Sequence, residues 1–375
     1  MAKKKTVDTP ERDELAQLIA DSLNKLDKGG DQVAFFLDGN EDTPTDITDY
    51  ISTGATLLDI AISNRAHGGI GVGRITEITG LEGSGKSLVC AAIIANTQKR
   101  GGVGVLIDTE TAVNPQFFSA IGLDTTKLVY AHLQTIEEVF EAVSDVVERV
   151  RSTGDNEKLV TIVVDSIAGA SSKAEVESDF DNDGYNTHKA RAIGKALRKI
   201  TSVLGRKKIA LIFTNQLRTK MNAMPFADPY DVPGGKAIPF AASTRIRLKP
   251  VGKIKNKKGE VIGISTKAII VKNRLGPPHR TAEFDIYFDR GIDDATALLK
   301  VATDNKIIKK AGSWCTTVDD NGDEAKFQKG DWSDFLANNP KRREELYNEI
   351  CDAIIMEYSS EFNPDENFIE ESSDD

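Results

Sequence analysis

Three cysteines and four histidines in 375 residues leave little material for disulfide or metal chemistry. Cys90, Cys315 and Cys351 cannot all pair and show no ligand spacing, and His67, His132, His188 and His279 are scattered. A reducing compartment and no structural metal are expected. No apolar run approaches the ~20 residues that a membrane-crossing helix needs. The opening Met1-Ala-Lys-Lys-Lys5 is basic, but polar sequence follows it instead of an apolar signal core. A cytoplasmic chain without membrane association is expected. Charge of one sign is missing in long stretches. No base follows Arg343, and 12 of the 58 acids lie in residues 344–375, leaving 46 acids against 48 bases in the body. Tyr185 to Ala227 holds ten bases and no acid, and Ser243 to Lys258 seven bases and no acid. Such runs fit a solvated face. They fit equally a polyanion-binding body whose tail, with seven acids from Ser359 onward, competes for the same surface.

What is present is alternation. Short β-branched runs at Ile75–Thr79, Val103–Asp108, Leu159–Asp165 and Ile209–Thr214 are separated by helical patterns near 86–100, 135–152 and 187–204. That order predicts βαβ units, hence an α/β fold with a mostly parallel sheet covered on both faces. Runs at 244–249, 261–272 and 280–288 have no helix between them and predict an antiparallel extension. Residues 293–350 read as a small mixed module whose last helix lies near 341–357, and the tail from Ser359 reads as disordered. Toward the N-terminus, Leu15, Leu18, Ile19, Leu23 and Leu26 form a helical stripe. The apolar run Val33–Leu37 follows, then a Pro/Asp-rich linker at 38–49.

Gly80-Leu-Glu-Gly-Ser-Gly-Lys-Ser87 matches the phosphate-loop pattern in full, between a strand and a helix. Glycines let backbone N–H groups turn around phosphate oxygens, and the helix N-terminus adds positive potential. Lys86 then reaches the β- and γ-phosphates while the Ser87 hydroxyl ligates Mg²⁺. Gly80, Glu82, Gly83, Ser84, Gly85, Lys86, Ser87 and Leu88 are the expected nucleotide-binding residues. Asp165, delivered by the run Val160–Asp165, is the expected acid on the magnesium side. In Asp108-Thr-Glu110, Glu110 or Asp108 would serve as general base.

Together with these, Ile51-Ser-Thr-Gly-Ala-Thr-Leu-Leu-Asp59, Val163-Val-Asp-Ser166, Phe213-Thr-Asn-Gln-Leu-Arg218, Pro233-Gly-Gly-Lys-Ala237 and Val271-Lys-Asn-Arg274 stand in one order. Over roughly residues 15–350 the chain resembles the bacterial RecA-type homologous recombinases. The resemblance implies a RecA-like P-loop ATPase core at 49–291, with an N-terminal helix-strand oligomerisation arm and linker at 1–48. A small α+β C-terminal domain at 292–358 and an acidic tail at 359–375 complete that expected layout. It gives Glu110 the water-activating role and Gln216 the sensing of γ-phosphate. Lys272 and Arg274 become the bases that reach a neighbouring subunit's ATP. Phe117 falls where the family stacks a tyrosine on adenine, and Asn114 where it has an aspartate. Segments 177–186 and 217–235 match its DNA-lining loops, with Arg191, Arg198, Arg218, Lys220, Gly234, Gly235 and Lys236 as candidate DNA contacts. The implied activity is ATP-dependent pairing and strand exchange by a helical filament on single-stranded DNA, which also engages duplex DNA. A single-strand-binding protein and a loader are implied accessory partners. A ring-forming helicase-type ATPase and a non-catalytic DNA coat share parts of the pattern.

Overall fold

The computed structural model describes residues 13–25, 32–37, 43, 45–47, 49–111, 113–152, 158–176, 185–205, 208–220 and 229–358. The tail from Ser359, most of the first segment expected to line DNA (177–184) and the tip of the second (221–228) lie outside the described residues. The chain divides into two compact units, Met1–Thr48 and Asp49–Asp375.

In the first unit, helix α1 (Glu14–Asn24) starts at Asp13, whose carboxylate accepts from Leu15 N (2.9 Å) and Ala16 N (3.0 Å). Leu15, Leu18, Ile19 and Leu23 lie exposed along it, as the stripe predicts. Asn24 ties its end to the next segment by accepting from Val33 N (2.9 Å) and Ala34 N (2.7 Å). Among the described residues, Val33–Leu37 lies outside any strand.

The second unit is built on a nine-stranded sheet. In chain order its strands are β1 (Ile75–Gly80), β2 (Val103–Asp108), β3 (Leu128–His132), β4 (Val160–Asp165), β5 (Ile209–Gln216), β6 (Thr244–Lys255), β7 (Val261–Asn273), β8 (Thr281–Tyr287) and β9 (Gly291–Asp293). Their spatial order is β9-β8-β7-β6-β1-β5-β4-β2-β3. From β6 to β3 all pairs are parallel. β6, β7 and β8 pair antiparallel in turn, as the runs without intervening helices predict, and β9 continues the extension. β6 pairs with β1 in parallel, with Thr244 beside Thr76 and Leu248 beside Gly80.

Alternate residues of the parallel strands feed two apolar clusters. Leu106, Val163 and Ile212 pack with α3 (Lys86–Lys99), and α2 (Thr56–Ser63) and Phe118 of α4 (Pro115–Ala120) join the same cluster. Val105, Val164 and Phe213 pack instead with α5 (Ile136–Ser152) and α6 (Tyr185–Leu204). The stripe Ile136, Val139, Phe140, Val143 and Val147 holds α5 to the sheet, each buried side chain worth ~1.5–3 kcal/mol. β3 went unforeseen because it is an edge strand whose residues are half-buried or exposed. Among the described residues no helix is long and apolar enough to cross a membrane.

After the short helix α7 (Ala237–Ala241) and the extension, α8 (Asp294–Asp304) leads into a three-stranded antiparallel sheet, β10 (Lys309–Ala311), β11 (Trp314–Val318) and β12 (Glu324–Gln328). Helices α9 (Trp332–Asn338) and α10 (Pro340–Ile354) close it, with Phe327 stacked on Trp332 (5.2 Å) and Phe335 (4.9 Å). Asp294 joins this module to the sheet by capping α2, accepting from Thr56 N (2.6 Å) and Thr56 Oγ1 (2.7 Å). One turn on, buried Asp59 accepts from Thr53 N (2.7 Å), Thr53 Oγ1 (2.7 Å) and Ser52 Oγ (2.6 Å). Burial pushes its carboxyl up from 3.8 to about 7 despite those donors, with Asp294 adding a little, and burial raises Asp294 too.

A raised folded-state value means that the native state holds the proton more tightly than the unfolded chain. Asp59 therefore contributes its full stability below its ordinary 3.8 and loses it as pH rises through about 7. Urea midpoints measured across that window should fall for the parent relative to Asp59→Asn, which cannot ionise. Parallel curves for the two proteins would contradict this.

Candidate functional site

β1 ends at Gly80 and α3 begins at Lys86, so the intervening turn wraps the helix N-terminus. Gly83 (φ 68°) and Gly85 (φ 93°) take left-handed conformations that other residues adopt at a cost. Gly80 is needed for closeness: a Cβ there would fall 2.3 Å from Ser84 Oγ and 2.8 Å from the Leu248 carbonyl. No side chain caps α3, which leaves its first N–H groups without a side-chain acceptor. Lys86 Nζ lies back along the loop, donating to the carbonyls of Gly80 (3.1 Å) and Leu81 (3.0 Å). Burial lowers its pKa, while Asp165 and Glu110 oppose that shift. Ser84 is fully buried and its hydroxyl has no protein partner, whereas Glu82 and Ser87 are exposed and Leu88 packs inward.

The parallel register brings the acids to this same edge. Asp108 pairs with Asp165 across β2 and β4, and Gly80 pairs with Gln216 across β1 and β5. Asp165 is anchored by Thr214 Oγ1 (2.5 Å). Asp108 is buried and fully engaged: it accepts from Glu110 N (2.8 Å), Thr111 N (3.0 Å) and Tyr130 Oη (3.0 Å). Glu110 is exposed, and its Oε1 accepts from Gln216 Nε2 (3.2 Å) and from Ser166 Oγ. Asp108 is thus spent on shaping the turn, and Glu110 faces the phosphate loop. Ser166 was not singled out from sequence; nothing in the linear order ties it to a residue 56 positions away.

Asn114 caps α4, accepting from Gln116 N (3.0 Å) and Phe117 N (3.3 Å). Its carboxamide oxygen is committed to the helix, and Phe117 is half-buried against the α3 cluster. Lys272 and Arg274 do not join the phosphate loop of their own chain. Lys272 lies across from Arg245, which lies across from Glu77, three positions before Gly80 and therefore ~10 Å back along β1. Lys272 Nζ donates to the Pro239 and Phe240 carbonyls (both 2.9 Å) at the opposite end of the sheet, and Arg274 is exposed beside it. Burial depresses the Lys272 pKa, with Arg274 and Arg245 adding to the effect. Phe240, 71% exposed on α7, stands next to this pair and was likewise missed.

The basic run on α6 divides. Arg191 and Arg198 are exposed, but Lys189 turns inward and donates to the carbonyls of Ala170 and Ala168. Burial lowers the Lys189 pKa, Glu175 opposes, and nearby Arg218 adds to the depression. Gly234 and Gly235 lie against α6, where a Cβ would come within 3.1 Å of Ile193 Cδ1 and of Ala190 Cβ respectively. Exposed Lys236 therefore continues the α6 surface. Arg218 and Lys220 are exposed at the base of the second loop, in a small ribbon pairing Arg218 with Asp231 and Thr219 with Tyr230. The second basic run also divides: Arg245 binds buried Glu77 (2.5 Å) and Arg247 lies over the Tyr230 ring (5.5 Å), while the lysines from Lys249 onward are mostly exposed.

Comparison with known proteins agrees with this geometry. The family model "RecA N-terminal domain" matches residues 17–293. The protein RecA of Thermus aquaticus is 36% identical over 311 residues, covering 82% of this chain and 87% of that one. The protein RecA of Corynebacterium efficiens is 36% identical over 351 residues, covering 93% and 86%. That of Clostridium novyi is 38% identical over 300 residues, covering 80% and 81%. A phosphate loop, a sheet-edge carboxylate and a matched sequence of this extent lead to one conclusion: the chain belongs to the RecA family of ATP-dependent, DNA-dependent recombinases that act in DNA repair.

Proposed function

We propose that this chain binds ATP with Mg²⁺ at the Gly80–Ser87 loop and hydrolyses it with Glu110 as general base. The observation that carries the reading is the convergence of Lys86, Glu110, Asp165 and Gln216 on one sheet edge, with Gln216 already hydrogen-bonded to Glu110. The uncapped α3 and the loop N–H groups suit the phosphates, and Phe117 offers a face for the base. Ser87 and Asp165 are the oxygen donors that would hold Mg²⁺, which when bound supplies neutralisation of charge on the β- and γ-phosphate oxygens. Glu110 takes a proton from water as the water oxygen bonds to the γ-phosphorus and the bond to ADP breaks. Lys86 balances charge on the transferring group. Gln216 sits at the end of β5, directly before the second DNA loop, so a change at the phosphate can pass to Arg218 and Lys220. Three buried, free cysteines fit a cytoplasmic setting.

The same reading has subunits joined head to tail on DNA. Lys272 and Arg274 are too far back to serve their own loop, which favours a role at a neighbour's ATP. The apolar stripe of α1 and the apolar run Val33–Leu37 favour an arm that docks on the next subunit. β3, at the sheet edge with Val129 and Tyr130 exposed, offers the backbone row such a segment can extend. A heterologous joint that does not close gives a helical filament. Single-stranded DNA would follow Arg191, Arg198, Arg218, Lys220 and Lys236, with Gly234 and Gly235 allowing close approach.

Three tests bear on these assignments. Lys86→Ala should abolish hydrolysis while the fold survives, and Glu110→Gln should keep ATP and DNA binding but lose turnover. Steady-state ATPase assays at the parental rate for either would return its role to another residue. Deleting residues 1–45 should leave a folded protein that electron microscopy shows without filaments on single-stranded DNA; persistent filaments would move the joint elsewhere. Arg198→Ala should weaken single-strand binding and flatten its salt dependence by roughly 0.7 in log–log slope. Lys189→Ala should leave that slope alone and cost ~1–3 kcal/mol of stability through two orphaned carbonyls. Equal slopes for the parent and Arg198→Ala would remove that arginine from the DNA path.

A further inference from the structure

Ser166 follows Asp165 at the end of β4 and is 1% exposed. Its backbone N–H donates to Thr109 Oγ1 (3.1 Å), and Thr109 Oγ1 donates back to the Ser166 carbonyl (2.7 Å). Thr109 N also donates to the Asp165 carbonyl (3.0 Å). The segments leaving β2 and β4 are therefore clamped together beyond the point where strand pairing stops. On this clamp the Ser166 hydroxyl accepts from Gly169 N (3.2 Å) and donates to Glu110 Oε1. A serine hydroxyl has one proton to give. With an N–H already directed at its oxygen, that proton has a defined target, the Glu110 carboxylate.

Gly169 contributes a second restraint. A Cβ there would lie 2.6 Å from Glu110 Cγ and 2.8 Å from Thr109 Oγ1, so the Glu110 stem rests directly on the Gly169 backbone. Glu110 is exposed to solvent, and without these contacts its side chain would sample several rotamers. Its Oε1 accepts from two donors of different character. Gln216 closes the far end of β5 and leads into the DNA loop, so its bond is releasable. Ser166 is held by backbone and by Thr109, so its bond is fixed.

We infer that Ser166, braced by Gly169, is a positioning residue for Glu110, keeping Oε1 occupied and Oε2 presented to water when Gln216 turns to the phosphate. This rests on the reading of Glu110 as general base. Ser166 touches neither nucleotide nor water in this role; it acts through the carboxylate. Gly169 sets the depth at which the stem lies, and the hydroxyl sets its rotation.

The test is steady-state ATP hydrolysis by the full chain on single-stranded DNA, with kcat and KM determined separately. Ser166→Ala should lower kcat roughly ten- to hundredfold, the scale of a misplacement near 1 Å. KM for ATP, single-strand affinity and the thermal midpoint should stay at parental values. Gly169→Ala keeps the hydroxyl but presses on both the Glu110 stem and Thr109 Oγ1, and it should show the same kcat loss at unchanged KM. Ser166→Thr, which keeps the donor, should recover most of the rate. In a Glu110→Gln background neither substitution should change the residual rate. Parental kcat in both Ser166→Ala and Gly169→Ala, with Glu110→Gln inactive, would overturn the positioning role alone. Loss of ATP affinity or of the thermal midpoint in step with kcat would also overturn it, since a merely structural hydroxyl gives that pattern. Parental hydrolysis by Glu110→Gln would instead overturn the general-base reading.

Discussion

Parallel pairing of β1, β5, β4 and β2 is the constraint on which the site depends. Parallel strands deliver all their carboxyl ends to one edge, and the connections that leave that edge are free of the ladder. Register then decides who meets whom. Gly80 lies beside Gln216 and Asp108 beside Asp165, so the phosphate loop, Gln216 and the carboxylates converge without any of them being near the others in sequence. A one-residue slip would turn Gln216, Asp108 or Asp165 to the opposite face of its strand. The alternation of Leu106 toward α3 and Val105 and Ile107 toward α5 and α6 penalises such a slip. Core packing therefore holds this edge in register from a distance.

The same topology separates Lys272 and Arg274 from that edge. β7 runs against β6, so its last residues finish beside the beginning of β1 rather than its end. Each chain carries a nucleotide loop at one end of its sheet and a pair of bases at the other. Repetition of one chain, head to tail, is the arrangement in which both can serve the same phosphate. The exposed Phe240, whose carbonyl holds Lys272, places an apolar anchor beside the charged pair at the end that would face a neighbour.

Much of this was legible in the linear order, for identifiable reasons. The phosphate loop declares itself because its glycines, lysine and serine are contiguous and sit between a strand and a helix. The buried strands β1, β2, β4 and β5 are continuous apolar runs because parallel sheets are covered on both faces. β3 was missed because an edge strand needs no such run. The parallel pairing of β6 with β1 was not read from sequence, since the residues before Thr244 carry little periodic signal. Lys189 counted as a surface base, yet the carbonyls of Ala168 and Ala170 draw it inward, and no composition argument anticipates that. Asp108 and Glu110 could be told apart only through their partners. Ser166 and Gly169 became visible only once β2 and β4 were side by side.

The most direct test of a site shared between subunits is hydrolysis by mixed filaments. Lys86→Ala chains lack the loop lysine but keep Lys272, and Lys272→Ala chains have the reverse defect. Each alone should be inactive on single-stranded DNA. Mixed in equal amounts before assembly, the intact loop of one should meet the intact lysine of the other at about a quarter of randomly formed, directional joints. Recovery of about a quarter of the parental rate is the expected result. A mixture as inactive as its components would mean that both lysines must come from one chain, and the two ends of the sheet would then need another explanation.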